Sequence, residues 1–329
     1  MIILNASDVR RALPMADAIA AMKDAFAALS HGDTIVPART HMRIAKHDGL
    51  SLIMPSYVGG DNEALAVKVA SVFEQNQDHG IARIQAAVTV LDPNTGRPLA
   101  LLEGATLTGI RTAAGSAAAT DFLARSNAKS LAILGAGTQG RAHLEAICTV
   151  RQIESVRVFS RTKSKVEQLI ADMAGQGPIP DNIRGVNSAA EAIQDADIIC
   201  CATSSTTPIF DNDSIQSGMH INTVRSYTPD QCEVPAETVV RSRVFVDSRE
   251  AAWEESGDLI QPLRAGLITE DSIVAELGEL VTQQIRGRET DDEITLFKSV
   301  GVAVQDAVAA TLALKNAESM GIGQRMDWD

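Results

Sequence analysis

A glycine-rich segment carries the first residues whose spacing indicates chemistry. Gly135, Gly137 and Gly140 form the pattern G-x-G-x-x-G within "LAILGAGTQGRAH". Alone the pattern is weak, but here it follows an apolar strand and opens a helix, which is the setting of a dinucleotide site. The first two glycines permit a tight turn close to a pyrophosphate, and the third lets the helix pack on the strand. We expect this turn, including Thr138 and Gln139, to hold phosphates; the alternative is a glycine turn without a ligand.

The residues after the next strand bear on which dinucleotide binds. An NAD site usually has Asp or Glu there, bonded to the ribose 2′-hydroxyl. The strand "SVRVF" instead ends in Ser160, Arg161, Thr162 and Lys163. No carboxylate repels a 2′-phosphate, and Arg161 can pair with one. The absent carboxylate and the two cations favour NADP(H) over NAD(H), which is the alternative. A second explanation of Arg161 and Lys163 is that they only form the solvated start of a helix. Thr203, at the end of a later strand, is a further expected cofactor contact.

Three cationic residues in other segments suggest an anion site. In "EALAVKVASVF", strand periodicity places Lys68 on one face with Ala66 and Ala70, which suggests a hollow with one charge in it. Arg111 is the only charge within "TLTGIRTAAGSAAAT", and a buried arginine needs an anionic partner. Arg39 precedes the strand region. The three side chains could converge on a substrate carboxylate; otherwise each forms a structural ion pair, or the lysine extends its charge to solvent.

The elements that must position these residues begin with a block of helices and strands. A short helix capped by Ser7 and a longer helix, "PMADAIAAMKDAFAALSHGD", are predicted from their end signals. Four strands follow, the last two as a hairpin: "SLIMPSYV", "EALAVKVASVF", "QAAVTVLD" and "PLALLEG". Hairpin connections indicate an antiparallel or mixed sheet.

A second block alternates strands and helices after a helix of small residues. The predicted strands are 130–134, 155–160, 197–202, 219–224 and 243–247, and the helices 138–150 and 163–174. Alternation of this kind indicates a parallel sheet with crossover helices. The end of the chain, "TLFKSVGVAVQDAVAATLALKNAESMG", is predicted to be one long helix that returns to the first domain. The fold class is therefore α/β: a Rossmann-type parallel sheet domain at 115–299, and an α+β domain from 1–114 plus 300–329.

Composition and charge argue against a nucleic acid, a metal ion or a membrane as a partner. The 329 residues carry a formal charge of −13 without a Lys/Arg-rich block, so a nucleic acid would be repelled. The four cysteines form no C-x-x-C pair and suit core thiols, and the six histidines lack metal-ligand spacing. Charged residues appear too early at the amino terminus for the apolar region of a signal peptide, and no stretch has the length of a membrane span. We expect a cytoplasmic protein without a metal or a membrane partner.

The order of these segments resembles the ornithine cyclodeaminase/mu-crystallin family over nearly the whole chain. The matching segments are "PARTHM", "LIMPSYVG", "AVKVASVF", "LDPNTGRPLALLEGATLTGIRTAA", "LAILGAGTQGRAH", "INTVRSYTPDQCEV", "VFVDSREAAWEESGDL", "AELGEL" and "TLFKSVGVAVQD". The resemblance implies that Arg39, Lys68 and Arg111 bind the α-carboxylate of the substrate. It also implies a homodimer built by the first domain, which would then be a substrate-binding and dimerisation domain.

One segment, "INTVRSYTPDQCEV", departs from the cyclodeaminase pattern G-x-D-x-P-G-K-x-E. Tyr227 stands where the resemblance would place the catalytic aspartate, Asp230 replaces the glycine and Gln231 the lysine. Arg225 replaces the first glycine, which is unusual for the ketimine reductases too. The cyclodeaminase reaction therefore loses its acid–base residue, and "FSRT" resembles the NADPH-using, mu-crystallin-like branch.

These observations favour an NADPH-dependent reductase of a small α-imino acid, of the Δ1-pyrroline-2-carboxylate type. Lys68 is then expected in a catalytic as well as a binding role, and Tyr227 or a water supplies the proton. Alternatives are an ornithine cyclodeaminase, an alanine dehydrogenase, an iminosuccinate reductase that uses Arg225 for a second carboxylate, or a crystallin-like protein that binds NADPH without catalysis.

Overall fold

The computed structural model describes residues 1–226 and 228–328, without the side chain of Gln77. The chain divides into two compact units. The first consists of Met1–Arg111 and Val302–Asp329, and the second of Thr112–Gly301. The first unit is thus assembled from both ends of the sequence, whereas the second is continuous.

A mixed sheet forms the centre of the first unit. Its strands are β1 (Ile2–Leu4), β2 (Thr34–Ile35), β3 (Thr40–Ile44), β4 (Gly49–Val58), β5 (Ala64–Phe73), β6 (Ile84–Leu91), β7 (Pro98–Glu103) and β16 (Gln324–Arg325). They lie in the order β16-β1-β7-β6-β5-β4-β2, and β3 also pairs with β4. The pairing of β1 with β7 is parallel and the long hairpins from β4 to β7 are antiparallel. The four predicted strands and their mixed sheet are confirmed.

Helices of the first unit are α1 (Ala6–Ala12), α2 (Met15–His31), the first turns of α3 (Gly104–Leu123) and α11 (Ala303–Met320). Pro14 precedes α2 and Gly32 ends it with a φ of 78°, as its end signals predict. The cap of α1 was predicted at the wrong residue. Asn5 accepts from the N–H groups of Ser7 (2.8 Å) and Asp8 (3.0 Å), because an asparagine two residues earlier is an equally good cap.

The alternation of β5 decides what Lys68 contacts. Ala64, Ala66 and Lys68 are buried, whereas Val69 points the other way and is 41% exposed. The buried face lies against α11, where Ser56 Oγ of β4 donates to the carbonyl oxygen of Ala303 (3.1 Å). Small side chains on this face let the helix approach closely. Lys68 is therefore held inside the first unit.

A parallel sheet forms the centre of the second unit. Its strands are β8 (Ser130–Leu134), β9 (Ser155–Phe159), β10 (Ile183–Gly185), β11 (Ile198–Cys201), β12 (His220–Thr223), β13 (Arg243–Val246), β14 (Ile273–Glu276) and β15 (Thr295–Lys298). Their order is β10-β9-β8-β11-β12-β15-β13-β14, and each pairing between described residues is parallel. The predicted Rossmann-type sheet is confirmed.

The helices of this unit are α4 (Thr138–Val150), α5 (Lys163–Met173), α6 (Ala189–Ile193), α7 (Ala236–Arg241), α8 (Arg249–Glu255), α9 (Gly257–Arg264) and α10 (Leu277–Val281), besides the later turns of α3. Strand order reverses at β8, with β9 on one side and β11 on the other, and ligands of such sheets bind at this switch point. The cysteines Cys148, Cys200, Cys201 and Cys232 are free and buried, in agreement with the predicted core thiols.

The prediction of one helix from Thr295 onward is wrong. Residues Thr295–Lys298 form β15, which lies between β12 and β13 with all four side chains buried. Gly301 then takes a φ of 88°, a conformation outside the helical region, and α11 begins only at Ala303. A short apolar run has no periodicity that separates a buried strand from a helix. Strands β10 and β14 were also missed; β10 has only three residues, and β14 is an edge strand in which only alternate residues are buried.

Candidate functional site

The glycine turn follows β8 at the switch point of the second unit. Gly135 has a φ of 112°, and a Cβ there would lie 2.5 Å from the carbonyl oxygen of Ala202. A Cβ on Gly140 would lie 1.8 Å from the Gly135 carbonyl oxygen, whereas one on Gly137 would meet no described atom within 4 Å. Gly135 and Gly140 therefore serve the packing of the turn itself, and the space beside Gly137 is open.

The amino terminus of α4 opens at the same place. Gly137 is its N-cap residue and carries no side chain to bond the first N–H groups. Thr138 is exposed and Gln139 is half-buried. Unpaired N–H groups at a helix start bind anions, aided by the helix dipole. The turn fits the pyrophosphate of a dinucleotide, which is the role predicted for it.

The predicted 2′-phosphate residues lie at the end of β9. Arg161, Thr162 and Lys163 are exposed and Ser160 is half-buried. Lys163 Nζ lies 3.5 Å from Asn187 Oδ1. The charges at this strand end are positive, and the nearest residues in sequence include no carboxylate.

Glu233 joins the ends of two neighbouring strands, β11 and β12. Its Oε1 accepts hydrogen bonds from the backbone N–H (2.6 Å) and the Oγ1 (2.8 Å) of Thr203. Its Oε2 accepts from the N–H of Arg225 (3.1 Å) and from Thr223 Oγ1 (3.4 Å). Burial and the nearby Asp258 carboxylate raise the pKa of Glu233. The hydroxyl of Thr203, predicted as a cofactor contact, is therefore already used to fix the loop after β11.

A buried ion pair continues this network. Lys298 Nζ lies 3.4 Å from Asp258 Oδ2, and neither side chain is exposed. Lys298 also donates to Ser226 Oγ (2.7 Å), which donates to the same carboxylate. Asp258 Oδ1 accepts from the N–H groups of Glu233 (2.7 Å) and Val234 (3.2 Å). Burial opposes the charge of Asp258, but Lys298 and these hydrogen bonds hold its pKa below the ordinary value.

The network fixes both ends of the segment 224–234. Tyr227, predicted as the proton donor, belongs to this segment but lies outside the described residues. Arg225 is half-buried, and its Nε has no hydrogen-bond partner among the described residues. Of the residues that fix the segment, Glu233 is the final glutamate of the pattern G-x-D-x-P-G-K-x-E, and Asp258 lies in the matching segment "VFVDSREAAWEESGDL". Lys298 was missed because its strand was assigned to a helix.

In the first unit, Lys68 and Arg111 meet at one carboxylate. Lys68 Nζ lies 2.6 Å from Asp306 Oδ2, and Arg111 Nε lies 3.1 Å from Asp306 Oδ1. Both cations and the carboxylate are almost completely buried. Arg111 Nη1 also donates to Gln305 Oε1 (2.5 Å), and Gln305 Nε2 donates back to the Arg111 carbonyl oxygen (3.3 Å). Two of the three predicted cations are therefore neighbours.

Arg39, the third predicted cation, is half-buried and near enough to influence Lys68. Burial lowers the pKa of Lys68 to about 8; the positive charges of Arg111 and Arg39 act in the same direction, and Asp306 opposes them. The expected hollow around Lys68 with a single charge in it is wrong, because Asp306 supplies a partner from α11. Its signal in the sequence was a lone acid in the apolar stretch "VGVAVQDAVAATLAL".

Lys68 and Arg111, together with Asp306 between them, form what we call the cation cluster. This cluster retains N–H donors that can bind an anion. A lysine ammonium has three N–H donors and an arginine guanidinium has five in a planar fork. Asp306 and Gln305 take one donor from Lys68 and two from Arg111. The remaining donors suit a carboxylate, which accepts paired hydrogen bonds from such a fork.

Two kinds of feature are absent from residues 1–226 and 228–328. No cluster of three or more His, Cys, Asp or Glu side chains in these ranges is arranged to hold a metal ion. None of the helices in the same ranges combines the length and the apolar character that a membrane crossing requires.

Comparison with known proteins extends over the whole chain. The ornithine cyclodeaminase/mu-crystallin family model matches residues 1–321. A Δ1-pyrroline-2-carboxylate reductase of Bacillus cereus is 41% identical over 332 residues, which cover 100% of each chain. Among solved structures, the Δ1-pyrroline-2-carboxylate reductase of Thermococcus litoralis in complex with NADH and L-proline has 41% identity and a TM-score of 0.94, covering 99% of this chain and 100% of that one. An archaeal alanine dehydrogenase dimer with bound NAD has 27% identity and a TM-score of 0.91, covering 100% and 99%. The chain belongs to the ornithine cyclodeaminase/mu-crystallin family.

Proposed function

We propose that this protein is an NADPH-dependent reductase of small cyclic α-imino acids, of the Δ1-pyrroline-2-carboxylate type. The observation that carries the proposal is the buried pair Lys68 and Arg111, which retains unused N–H donors beside Asp306. The proposal is also supported by the two relatives at 41% identity, both Δ1-pyrroline-2-carboxylate reductases. In this proposal the first unit binds the substrate and the second unit binds the dinucleotide.

The proposed reaction divides the work between cofactor and protein. A bound nicotinamide supplies the hydride. Lys68 and Arg111, with Arg39, bind the substrate carboxylate and so fix the neighbouring C=N carbon, which raises the rate by orientation. The catalytic contribution of Lys68 is its charge, which holds the carboxylate in place. A cyclic imine protonated before binding needs no proton from the protein, so the missing aspartate is no obstacle. For an imine that binds neutral, Tyr227 or a water is the proposed proton donor.

The proposed cofactor contacts follow the geometry of the second unit. Gly135, Gly137 and Gly140, with the N–H groups of Thr138 and Gln139, hold the pyrophosphate; Thr203 lies at the neighbouring strand end. Ser160, Arg161, Thr162 and Lys163 bind the 2′-phosphate, which makes NADPH the preferred cofactor and NADH the weaker one. The support is the positive charge at the end of β9 and the open space at Gly137.

A second candidate substrate is an open-chain dicarboxylic imine such as iminosuccinate. It is favoured by Arg225, whose Nε lacks a hydrogen-bond partner among the described residues. A second carboxylate would satisfy that donor, as a buried polar group requires. Replacement of Arg225 by Met distinguishes the two candidates, since only the dicarboxylic substrate needs this residue.

A spectrophotometric screen tests the function. NADPH and NADH are each offered with Δ1-pyrroline-2-carboxylate, with iminosuccinate, with pyruvate plus ammonia, and NAD(P)⁺ with ornithine. We expect NADPH oxidation with the cyclic imine. Lys68→Met and Arg111→Met should each lower kcat/KM by about 10- to 100-fold, since each removes a charged hydrogen bond. Lys315→Met, an exposed lysine of α11, is the matched control. Dinucleotide binding without turnover of any substrate would remove the proposal.

We further propose that the protein is a cytoplasmic homodimer associated through the first unit. Ile35, Met42 and Val69 of that unit are at least 41% exposed, and apolar side chains exposed together indicate an interface. The similarity to an alanine dehydrogenase dimer supports the assembly. Light scattering coupled to gel filtration tests it, and a mass of one chain at micromolar concentration would contradict it.

A further inference from the structure

Asp306 has no role in the proposed chemistry, yet it is the centre of the cation cluster. Its side chain is 2% exposed and contacts Lys68 Nζ and Arg111 Nε with opposite oxygens. The residue lies in the first turn of α11, where the helix dipole also favours a negative charge. The carboxylate of Asp306 therefore lies between Lys68 and Arg111 and offsets the repulsion between their positive charges.

The two oxygens of Asp306 form close ion pairs with different cations. Oδ2 lies 2.6 Å from Lys68 Nζ, and Oδ1 lies 3.1 Å from Arg111 Nε. Arg111 is oriented in addition by Gln305, the neighbour of Asp306 on the same helix. The first turn of α11 thus determines the positions of both cations without using all their donors.

Without a negative charge at residue 306, Lys68 is expected to be neutral. Among the described residues, three charged groups act on Lys68: Asp306 from α11, Arg111 from α3, and Arg39 from the segment before β3. Its cross-strand neighbours, Met54 on β4 and Val88 on β6, carry no charge. A buried amine beside two guanidinium groups loses its proton readily, and a neutral amine does not hold a carboxylate by charge.

We propose that Asp306 is a positioning residue for the substrate carboxylate, which keeps Lys68 charged and holds Lys68 and Arg111 side by side. This inference rests on the proposed function for its kinetic consequences. The charge of Asp306 is shared between two cations, so the cluster remains net positive and retains attraction for an anion. The contribution is chiefly to binding and therefore to KM, with a smaller effect on the rate of hydride transfer through the orientation of the carboxylate.

The pH profile of kcat/KM distinguishes this role from a merely structural one. In the unmodified protein, kcat/KM for the imino acid should fall above about pH 8, where Lys68 loses its proton. Asp306→Asn keeps the shape but removes the charge, so the fall should begin at least about one pH unit lower. At neutral pH, KM should rise about tenfold or more while kcat changes less than about threefold. NADPH affinity, measured by fluorescence, should not change.

Two further variants control the experiment. In Lys68→Met, kcat/KM should no longer fall above about pH 8. Adding Asp306→Asn to Lys68→Met should then leave the pH profile of kcat/KM unchanged. Asp306→Glu keeps the negative charge on a longer side chain. The fall of kcat/KM at high pH should therefore remain at the same pH, while KM rises because the cations are displaced. If Asp306→Asn does not fold, Asp306→Ser, which leaves room for water, replaces it. An unchanged alkaline limb in the neutral variant would overturn the inference.

A measurement without turnover separates this inference from the proposed function. The Nζ resonance of Lys68, assigned by its absence in Lys68→Met, is titrated by ¹⁵N NMR in the unmodified protein and in Asp306→Asn. A lower titration midpoint in the variant supports the role of Asp306 even if no imino acid is reduced. Equal midpoints overturn it even if imine reduction is efficient.

Discussion

Lys298 Nζ lies 3.4 Å from Asp258 Oδ2 in the second unit, and both side chains are completely buried. The pair fixes the segment 224–234 through Ser226 and through the N–H groups of Glu233 and Val234. A buried pair adds little stability over an apolar pair of the same volume, but removing one partner leaves an uncompensated charge. The ion pair is therefore best understood as a device that specifies the conformation of this segment.

Lys298→Met is expected to destabilise the protein by about 3–5 kcal/mol, because Asp258 is left buried without its cation. The double variant Lys298→Met with Asp258→Asn should recover part of that loss, because the orphan charge is removed. Urea unfolding, followed by circular dichroism, measures the free energy of unfolding of each variant. A loss below about 1 kcal/mol in the single variant would mean that water or another group already neutralises Asp258.

Gly137→Ala should leave the fold intact and weaken dinucleotide binding. The residue has a φ of −85°, which alanine adopts freely, and the added Cβ meets no described atom within 4 Å. A bound pyrophosphate would meet it, so we expect the Kd for NADPH to rise about tenfold or more with an unchanged melting temperature. Gly140→Ala is the contrasting variant, since its Cβ would strike the Gly135 carbonyl oxygen and disturb the turn itself. Wild-type NADPH affinity in Gly137→Ala would place the pyrophosphate elsewhere.

Arg161→Ala tests the cofactor preference. If the exposed guanidinium pairs with a 2′-phosphate, the Kd for NADPH should rise about tenfold, which corresponds to one charged hydrogen bond. The Kd for NADH, which lacks that phosphate, should change less than about twofold. Arg10→Ala, an exposed arginine on α1, controls for a change in net charge. An equal rise in Kd for NADPH and for NADH would show that Arg161 does not contact the 2′-phosphate.

Two buried histidines predict a loss of stability in acid. His143 lies between Ser116 Oγ (3.0 Å) and the Gln139 carbonyl oxygen (2.7 Å), and burial lowers its pKa to about 4. Burial lowers the pKa of His220 to about 3. The unfolded chain takes up these protons at about pH 6.5. The stabilising contribution of the neutral rings is therefore complete above that pH and is lost progressively as the pH falls toward the folded-state values.

The acid prediction is tested by urea unfolding at several pH values between about 7.5 and 4.5. The free energy of unfolding should decrease by a few kcal/mol across this range, since each pKa unit corresponds to about 1.4 kcal/mol. The ring nitrogens of His220 contact Thr120 Oγ1 (3.2 Å) and Thr295 Oγ1 (3.0 Å). His220→Asn, which can bond one of these hydroxyls but has no proton to gain, should reduce the slope. A slope equal to that of the unmodified protein would assign the acid sensitivity to other groups.

Periodicity was sufficient for the long elements. The strands from β4 to β9 and the helices α2 and α4 lie within a residue or two of their predicted bounds, because alternation and end signals are local properties. The run "TLFK" was assigned to a helix because its four residues are all buried and so show no exposed face that sets a period. The break after it depends on Gly301, whose positive φ is set by tertiary contacts.

For the candidate site, residue types were predictable and their partners were not. The isolated charges of Lys68 and Arg111 marked them as unusual, and the glycine spacing marked the turn. The identity of the anion that Lys68 and Arg111 share follows only from the packing of α11 on β5, since nothing local links Asp306 to either cation. The ion pair of Lys298 with Asp258 depends in the same way on two segments distant in sequence.

The composition of the first unit from both chain ends has a consequence for biosynthesis. The second unit is encoded without interruption and can fold while translation continues. The first unit must wait for α11 and β16, which leave the ribosome after the whole of the second unit. Until then, Lys68 and Arg111 have no counter-ion and the apolar face of the sheet is uncovered, so a nascent or prematurely terminated chain exposes an aggregation-prone surface that chaperones would be expected to bind.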